Sequence, residues 1–287
     1  MENEFSKTAV DKLEAHFRRY PQALVLTGAG CSTGSGIPDY RDENGDWKHN
    51  QPILYQDFVK SRTVRQRYWA GSMHGWPRIV NAKPNAAHLA LARLEAAGFV
   101  QQIVTQNVDG LHQKAGSNSV IDLHGRLDTV ACIDCHHRMS RDTYQYLLLE
   151  NNPAFIDRLS VPVPDGDARL AVQDYSSFRF PDCPLCGGIC KPDVIFFGEF
   201  IPKQRVSAAL RAMDNADSLV IVGSSLMVLS GYRFCRTARE QGKPMVSINI
   251  GRSRADQEFS LKIEQDCCQI LSALNERLDA TRWCNQG

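Results

Sequence analysis

The sequence has no long apolar run and almost no net charge. Residues 219–222 and 226–229 are among its longest apolar stretches, far below the roughly 20 residues that a membrane-spanning helix needs. Lysine and arginine number 33 against 32 aspartates and glutamates, so no overall positive field attracts nucleic acid or anionic lipid. Residues 1–17 include acidic side chains and no apolar signal core. These absences predict a cytoplasmic protein with neither a membrane nor a direct nucleic-acid partner.

Cysteine, in contrast, is abundant, with 10 residues in the chain. In a reducing compartment, paired cysteines bind metal more often than they form disulfides. Four of them stand in two C-x-x-C motifs, Cys132 with Cys135 and Cys183 with Cys186. Two such turns complete a tetrahedral sulfur set suited to Zn²⁺, and four protein ligands leave no position open for water. We therefore predict one structural zinc ion per chain. No role is predicted for Cys190, Cys235, Cys268 or Cys284.

Short apolar segments alternate with helical patterns along most of the chain. Residues 7–20 place apolar side chains at helical spacing before Pro21, and residues 86–98 form a second helical pattern that ends on glycine. Strands are predicted at residues 23–26, 100–105, 218–222 and 244–250. This alternation is typical of an α/β protein whose parallel sheet is covered on both faces. The predicted fold class is a Rossmann-like α/β domain.

Residues 131–190 interrupt this alternation. They contain both cysteine pairs, several prolines and few apolar periods, so we predict a small zinc-binding module inserted into the main domain. The main domain then comprises residues 1–130 and 191–287, with a helical region at 45–80 that frames a cofactor cleft. The apolar residues 193–197 are predicted to return the chain to the main sheet.

A glycine-rich segment follows the first predicted strand. Residues 27–36 read TGAGCSTGSG, a layout that can open a helix whose N-terminus and backbone N–H groups hold a pyrophosphate. The glycine spacing is one residue longer than the usual dinucleotide fingerprint. Polar clusters at 105–109, 223–225 and 249–251 follow other predicted strands. Because open α/β sheets bind ligands beyond the carboxyl ends of their strands, these clusters together predict a dinucleotide site.

Seven ordered features resemble the signature set of the sirtuin family. They are residues 28–41 (GAGCSTGSGIPDYR), 105–112 (TQNVDGLH), 123–125 (LHG), the two C-x-x-C pairs, 192–199 (PDVIFFGE), 223–226 (GSSL) and 249–251 (NIG). The resemblance extends from about residue 24 to residue 251, most of the chain. Tyr40 and the segment RQRYWA at 65–70 are most similar to the class II branch.

The resemblance implies NAD-dependent removal of an acyl group from a lysine side chain, with release of nicotinamide and O-acyl-ADP-ribose. It implies His124 as general base, since histidine titrates near neutral pH, and Asn107 and Asp109 as further catalytic residues. The implied NAD contacts are Gly28, Ala29, Gly30, Ser32, Asp39, Tyr40, Arg41, Gln106, Asn107, Asp109, Gly223, Ser224, Ser225, Asn249, Ile250, Gly251 and Cys267. The implied peptide contacts, through pairing with an extended main chain, are Val194, Phe196, Phe197, Gly198 and Glu199.

The acyl group and two other functions stay open. Sirtuins that prefer succinyl or malonyl groups carry the motif Tyr-x-x-Arg, with the tyrosine first, and residues 65–75 contain no Tyr-x-x-Arg. We therefore predict acetyl or another uncharged or longer acyl group, carried on a protein or peptide. One alternative is a mono-ADP-ribosyltransferase, in which a protein side chain captures the ribosyl cation. The other is a non-catalytic zinc and NAD-binding module, in which His124→Ala leaves function intact. The sequence indicates no oligomeric state.

Overall fold

The computed structural model describes residues 2–48, 52–163, 167–172 and 174–284. Its α-helices are α1 (Glu2–Arg19), α2 (Tyr55–Lys60), α3 (Arg62–Asn81), α4 (Ala86–Ala96), α5 (Leu111–Lys114), α6 (Arg141–Asn151), α7 (Lys203–Asn215), α8 (Leu229–Glu240) and α9 (Cys267–Cys284). Its strands are β1 (Ala23–Thr27), β2 (Val100–Thr105), β3 (Val120–Asp122), β4 (Gly125–Cys132), β5 (Arg138–Ser140), β6 (Ser160–Val163), β7 (Asp167–Leu170), β8 (Cys190–Val194), β9 (Ser218–Val222), β10 (Met245–Ile248) and β11 (Leu261–Ile263). None of the helices in these ranges is long and apolar enough to cross a bilayer.

The main sheet has six parallel strands in the order β11-β10-β9-β1-β2-β3. Strand β1 reads ALVLT and every residue in it is buried, as expected for a strand with helices on both faces. Side chains of α1, α4 and α9 form the core on one face, and side chains of α7 and α8 form the core on the other. The predicted α/β fold with a covered parallel sheet is confirmed.

Local sequence explains where α1 ends and where α4 begins and ends. Helix α1 ends at Arg19, two residues before Pro21, which has no N–H to continue the helical hydrogen bonds. Helix α4 begins after Asn85, whose side-chain oxygen accepts hydrogen bonds from the amides of Ala87 and His88. Beyond α4, Gly98 adopts a φ of +84°, a left-handed turn that glycine makes without strain and that directs the chain into β2.

A second sheet is antiparallel and has the order β5-β4-β8. Its core includes Trp69 from α3, Tyr144 from α6 and Phe178. Strands β6 and β7 form a separate two-stranded hairpin. The predicted helical region at 45–80 contains α2 and α3, while its residues 49–51 lie outside the described residues. Residues 164–166 and 173 of the predicted module, and residues 1 and 285–287 of the predicted main domain, also lie outside them.

The prediction that residues 193–197 return the chain to the main sheet is wrong. Strand β8 ends at Val194 and pairs antiparallel with β4, with Cys190 opposite Cys132. The chain re-enters the main sheet only at β9. An apolar segment of this length has no feature that identifies its partner strand, because strands of both sheets are buried in the same way.

Candidate active site

A cavity of about 660 Å³ lies beyond the carboxyl ends of the central strands, a volume in the usual range for ligand pockets. The segments that follow β1, β2, β9 and β10 all contribute to its wall, as expected for open α/β sheets. The predicted site residues in this wall are Gly28, Ala29, Gly30, Asp39, Tyr40, Arg41, Gln106, Asn107, His124, Val194, Phe196, Phe197, Gly198, Glu199, Gly223, Ser224, Ser225, Asn249 and Ile250. The predicted residues outside it are Ser32, Asp109, Gly251 and Cys267.

The glycine-rich turn packs closely against the segment after β9. The amide of Gly28 donates to the carbonyl of Val222 at 3.1 Å, and the amide of Gly30 donates to that of Gly223 at 2.9 Å. A Cβ on Gly28 would lie 2.7 Å from the side chain of Ser224, so a larger residue does not fit. Both amides are engaged within the protein and are not free for a phosphate.

No α-helix begins at this turn, although the spacing suggested one. Two 3₁₀ turns, Ala29–Cys31 and Thr33–Ser35, follow Gly28 instead, and Gly36 then adopts a left-handed conformation with a φ of +80°. The prediction that a helix begins here and offers free backbone amides at its N-terminus is therefore wrong. The glycine spacing, one residue longer than in the usual dinucleotide fingerprint, coincides here with two successive 3₁₀ turns.

Asn107, Ser32 and Asp109 form a hydrogen-bonded chain behind the turn. The side-chain amide of Asn107 donates to the carbonyl of Gly28 at 2.9 Å and to the hydroxyl of Ser32 at 3.0 Å. Ser32 in turn donates to the carboxylate of Asp109 at 2.7 Å. The three side chains line a small cavity of about 10 Å³ that shares Asn107 with the large one. Asp109 does not line the large cavity, but hydrogen bonds through Ser32 and Asn107 connect it to the cavity wall.

Gln106 links β2 to the segment after β9. Its side-chain amide donates to the hydroxyl of Ser224 at 2.9 Å and to the carbonyl of Thr27 at 3.2 Å. These contacts hold Ser224 beside the glycine-rich turn.

His124 has a defined tautomer. Its Nδ1 lies 2.9 Å from the carbonyl oxygen of Gln106, which can only accept, so Nδ1 carries the proton. Nε2 therefore has the lone pair and accepts from the hydroxyl of Ser230 at 2.8 Å. Burial lowers the pKa of His124 to about 4, partly offset by the Gln106 carbonyl. The imidazole is neutral at pH 7 and offers a free base at Nε2.

Residues 39–48 form another part of the cavity wall. The carboxylate of Asp39 pairs with the ammonium of Lys48, 2.6 Å away. The guanidinium of Arg41 lies over the ring of Trp47, 3.9 Å from its centroid, a favourable cation–π geometry. Burial is the main cause that lowers the pKa of Arg41. Asp39 and Arg41 thus have separate partners, Lys48 and Trp47.

Residues 194–197 lead from β8 to a bridge with Leu54, and the chain then turns. Gly198 adopts a φ of +80°, and the amide of Glu199 donates to the carbonyl of Phe196 at 3.0 Å. The amide of Ile195 donates to the carbonyl of His124 at 2.8 Å, and the carbonyl of Phe197 accepts from the amide of Tyr55 at 2.9 Å. The segment is therefore held between the His124 loop and the start of α2. This placement brings predicted peptide contacts next to the predicted base.

Lys191 and Glu199 form a shielded ion pair beneath that segment. The ammonium lies 3.1 Å from the carboxylate, and the side chains are only 8% and 18% exposed. Glu199 also accepts from the amide of Phe196 at 2.9 Å, and Lys191 contacts the carbonyls of Pro192 and Val194. Glu199 therefore fixes the shape of the segment, and its carboxylate is occupied by Lys191 and Phe196.

The remaining predicted contacts divide between the cavity and the layer behind it. The amide of Asn249 donates to the carbonyl of Ile263 at 3.1 Å, which leaves its side chain at the cavity wall. Gly251 adopts a φ of +86°, and a Cβ there would lie 2.6 Å from the carbonyl of Glu43. Cys267 is buried at the start of α9, where its thiol contacts the carbonyl of Gly30 at 3.8 Å.

The four predicted zinc ligands come together. The sulfur of Cys132 lies 3.6 Å from that of Cys186, and the sulfur of Cys135 lies 3.6 Å from that of Cys183. All four sulfurs lie within 4.8 Å of one another. With zinc–sulfur bonds of about 2.3 Å, a tetrahedral set has sulfurs about 3.8 Å apart. The amides of Asp134 and Cys135 point at the sulfur of Cys132, so the quartet fits one zinc ion.

Several residues that line the cavity were not predicted as site residues, and Ser230, Trp47 and Arg67 are three of them. Ser230 binds the basic nitrogen of His124 from the start of α8, with no motif to identify it. Trp47 packs against Arg41, and an aromatic residue shortly after a glycine-rich loop was the available signal. Arg67 lies on α3 and lines the cavity. It belongs to the segment RQRYWA, which indicated the class II branch but no cavity contact for Arg67.

Comparisons with known proteins agree with one another. A sequence model described as the Sir2 family matches residues 28–230. An NAD-dependent protein deacetylase of Xanthomonas campestris pv. campestris (strain 8004) is 51% identical over 267 residues, which cover 93% of this chain and 91% of the relative. An NAD-dependent protein deacetylase of Bordetella bronchiseptica (strain ATCC BAA-588 / NCTC 13252 / RB50) is 53% identical over 249 residues, covering 87% and 91%.

A solved structure gives the same result in three dimensions. The structure described as Sir2 bound to acetylated peptide superposes with a TM-score of 0.76 at 27% sequence identity. The match covers 94% of this chain and 98% of the solved one.

Proposed function

The chain belongs to the Sir2 family and is an NAD-dependent protein deacetylase, and from that premise we propose which of its residues carry the reaction. NAD is its co-substrate, and an acyl-lysine of a protein or peptide is the group it acts on. The observation that carries the proposal is the cavity that joins the glycine-rich turn, His124 and residues 194–198. One ligand at the turn and another along residues 194–198 would meet at His124.

His124 acts as the general base in this proposal. Its Nδ1 proton is held by the carbonyl of Gln106, so only Nε2 can accept a proton. Ser230 occupies Nε2 at 2.8 Å and gives way when a hydroxyl of the bound reactants takes its place. A pKa near 4 in the unliganded protein keeps the imidazole deprotonated at neutral pH.

The NAD-binding residues act by shape and by hydrogen bonding. When bound, NAD supplies the ribose carbon that receives the acyl oxygen, and nicotinamide is its leaving group. The tight contact of Gly28 with Ser224 fixes the shape of the cavity wall that would face NAD. Asn107 orients groups at the boundary of the large and the small cavity, supported by Ser32 and Asp109. The guanidinium of Arg41 offers positive charge to a phosphate or ribose from the opposite wall.

The acyl-lysine peptide binds along residues 194–198 by main-chain pairing. Such pairing gives affinity with little demand on the peptide sequence. The ion pair of Lys191 and Glu199 keeps the segment in shape. The zinc quartet is structural in this proposal, because four sulfur ligands leave no site for a reacting group. The division into a main domain and a module at 131–190, and the cytoplasmic location, stay predictions.

The test is incubation with NAD and acyl-lysine peptides, with nicotinamide and O-acyl-ADP-ribose measured by mass spectrometry. We expect both products from the wild type and a loss of about 10² to 10⁴ in turnover for His124→Ala. NAD binding and the melting temperature of the variant serve as controls for folding. Turnover by His124→Ala within a few-fold of the wild type would contradict the assignment.

We propose acetyl or another uncharged acyl group as the preferred substrate, as the absence of a Tyr-x-x-Arg pair at 65–75 suggests. Arg67 nevertheless lines the cavity, and a guanidinium attracts carboxylates. The peptide panel therefore includes succinyl-lysine beside acetyl-lysine. Succinyl-lysine turnover equal to or above acetyl-lysine turnover would overturn this preference, and Arg67→Met then tests whether Arg67 is the cause.

A further inference from the structure

A second cluster of metal-binding side chains lies behind the glycine-rich turn, apart from the zinc quartet. It consists of Cys31 at the end of the first 3₁₀ turn, His88 in α4 and His112 in α5. Cys31 and His88 are 0% exposed and His112 is 1% exposed. One donor atom from each of the three lies within 4.8 Å of the other two.

Each histidine of the cluster has one ring nitrogen without a partner. Within the described residues, Nε2 of His88 and Nδ1 of His112 are buried and make no hydrogen bond. Buried polar atoms are almost always satisfied, and leaving one unsatisfied costs about 1–3 kcal/mol. Two such atoms from neighbouring rings, with centroids 4.8 Å apart and planes tilted by 58°, indicate a missing partner common to both.

The second nitrogen of each ring, Nδ1 of His88 and Nε2 of His112, makes hydrogen bonds within the protein. The hydroxyl proton of Thr27 goes to Thr105 at 2.8 Å, so Thr27 accepts from Nε2 of His112 at 2.9 Å. Nδ1 of His88 lies 2.9 Å from the side-chain oxygen of Asn85, closer than the 3.3 Å to the Asn85 amide, and is therefore a donor. Both unpartnered nitrogens thus carry lone pairs. A hydrogen bond on the second nitrogen that fixes the tautomer is typical of histidine ligands.

We propose that Cys31, His88 and His112 bind one divalent transition-metal ion of the zinc type. One thiolate and two imidazoles are donors that Zn²⁺ and Co²⁺ accept at about 2.0–2.3 Å. Donors around such an ion lie about 3.3–3.8 Å apart, so side-chain shifts of about 1 Å close the set. The thiolate and the nearby carboxylate of Asp109, whose charge acts on His88, balance the two positive charges of the ion.

The site would connect the glycine-rich turn, which lines the large cavity, to α4 and α5. The carbonyl of Cys31 already accepts from the side-chain amide of Asn85 at 2.8 Å, which ties the turn to α4. A bound ion would add α5 to this connection and stiffen the glycine-rich turn. None of the three side chains lines the large cavity, so the role of the ion would be to stabilise and position this turn.

Metal content tests the proposal independently of deacetylation. The full chain and its variants are equilibrated with excess Zn²⁺, freed of loosely bound ions and analysed for zinc per chain by mass spectrometry. The variants are Cys31→Ala, Cys31→Val, which keeps most of the thiol's volume, and the control Cys235→Ala, which removes a buried thiol from the other face of the sheet.

We expect the wild type and Cys235→Ala to hold one more zinc ion per chain than either Cys31 variant. Co²⁺ titrated into protein that holds zinc at the quartet alone should give a near-ultraviolet sulfur-to-cobalt band in the wild type and no such band in Cys31→Val. Equal metal content in the wild type and the folded Cys31→Val variant overturns the proposal. The comparison is a difference between variants, so it stands whether or not the assigned catalytic residues are correct.

Discussion

The buried pair of Lys191 and Glu199 allows a quantitative prediction for Lys191→Met. Methionine keeps the apolar contact with the ring of Phe196, over which the ammonium lies at 4.9 Å, but removes the charge. Glu199 is then left with the amide of Phe196 as its remaining donor in a largely shielded place. Removing one partner of a buried ion pair costs about 3–5 kcal/mol. Because Glu199 keeps some solvent contact, we expect a loss of about 3 kcal/mol in the free energy of unfolding.

Urea unfolding of four proteins measures this effect. They are the wild type, Lys191→Met, Glu199→Gln and the double variant, in which no charge is left unpaired and about half of the loss should be recovered. Arg239→Met is the control, because its pair with Glu258 is 54% exposed on the arginine side and should contribute about 1 kcal/mol or less. The Michaelis constant for the peptide should rise in Lys191→Met. A loss below about 1 kcal/mol, with additive single effects, would refute the reasoning.

Three further outcomes are expected. Cys183→Ser should lose the zinc of the quartet and unfold at lower urea concentration, measured by metal analysis and circular dichroism; retention of the ion would contradict the ligand assignment. Gly28→Ala should cost about 1–3 kcal/mol by overpacking and weaken NAD binding in calorimetry, because its Cβ would lie 2.7 Å from Ser224; unchanged affinity would contradict this. Unfolding free energy should fall as pH drops from about 6.5 towards 4, by up to about 1.4 kcal/mol per pH unit for each buried histidine. In this pH range the unfolded chain takes up protons on its histidines, whereas burial lowers the pKa of the folded protein to about 4 in His16 and His88 and to about 3 in His112. An unfolding free energy that does not change with pH would contradict this prediction.

Strand β1 and helix α4 could be predicted from the sequence because their signals are local. An apolar run identifies β1, and helical spacing with a glycine at the end identifies α4, in both cases without knowledge of the neighbouring elements. The zinc quartet could also be predicted, since cysteine spacing constrains ligand geometry. The partner of β8 could not, because pairing with β4 depends on contacts between residues far apart in the chain.

The same reason explains the side chains that were missed. Ser230 reaches His124 across 106 positions of the sequence, and Lys191 is shielded only by the tertiary packing of its surroundings. The glycine-rich turn differs from expectation because the amide of Gly28 donates to Val222 at the end of β9, and the amide of Gly30 donates to Gly223. A motif indicates which residues approach a ligand, but it does not show which of their hydrogen bonds the protein itself uses.

The order of the central strands also determines when the NAD cavity exists. Its walls come from residues as distant as Gly28 and Ile250, and the adjacent strands β10, β9, β1 and β2 unite them. Contacts over such long separations form late in folding, because the chain must close large loops first. During synthesis, a chain that has not yet produced β10 has no complete site. NAD can therefore stabilise only the finished fold, and protection from proteolysis by NAD would report how many chains have completed it.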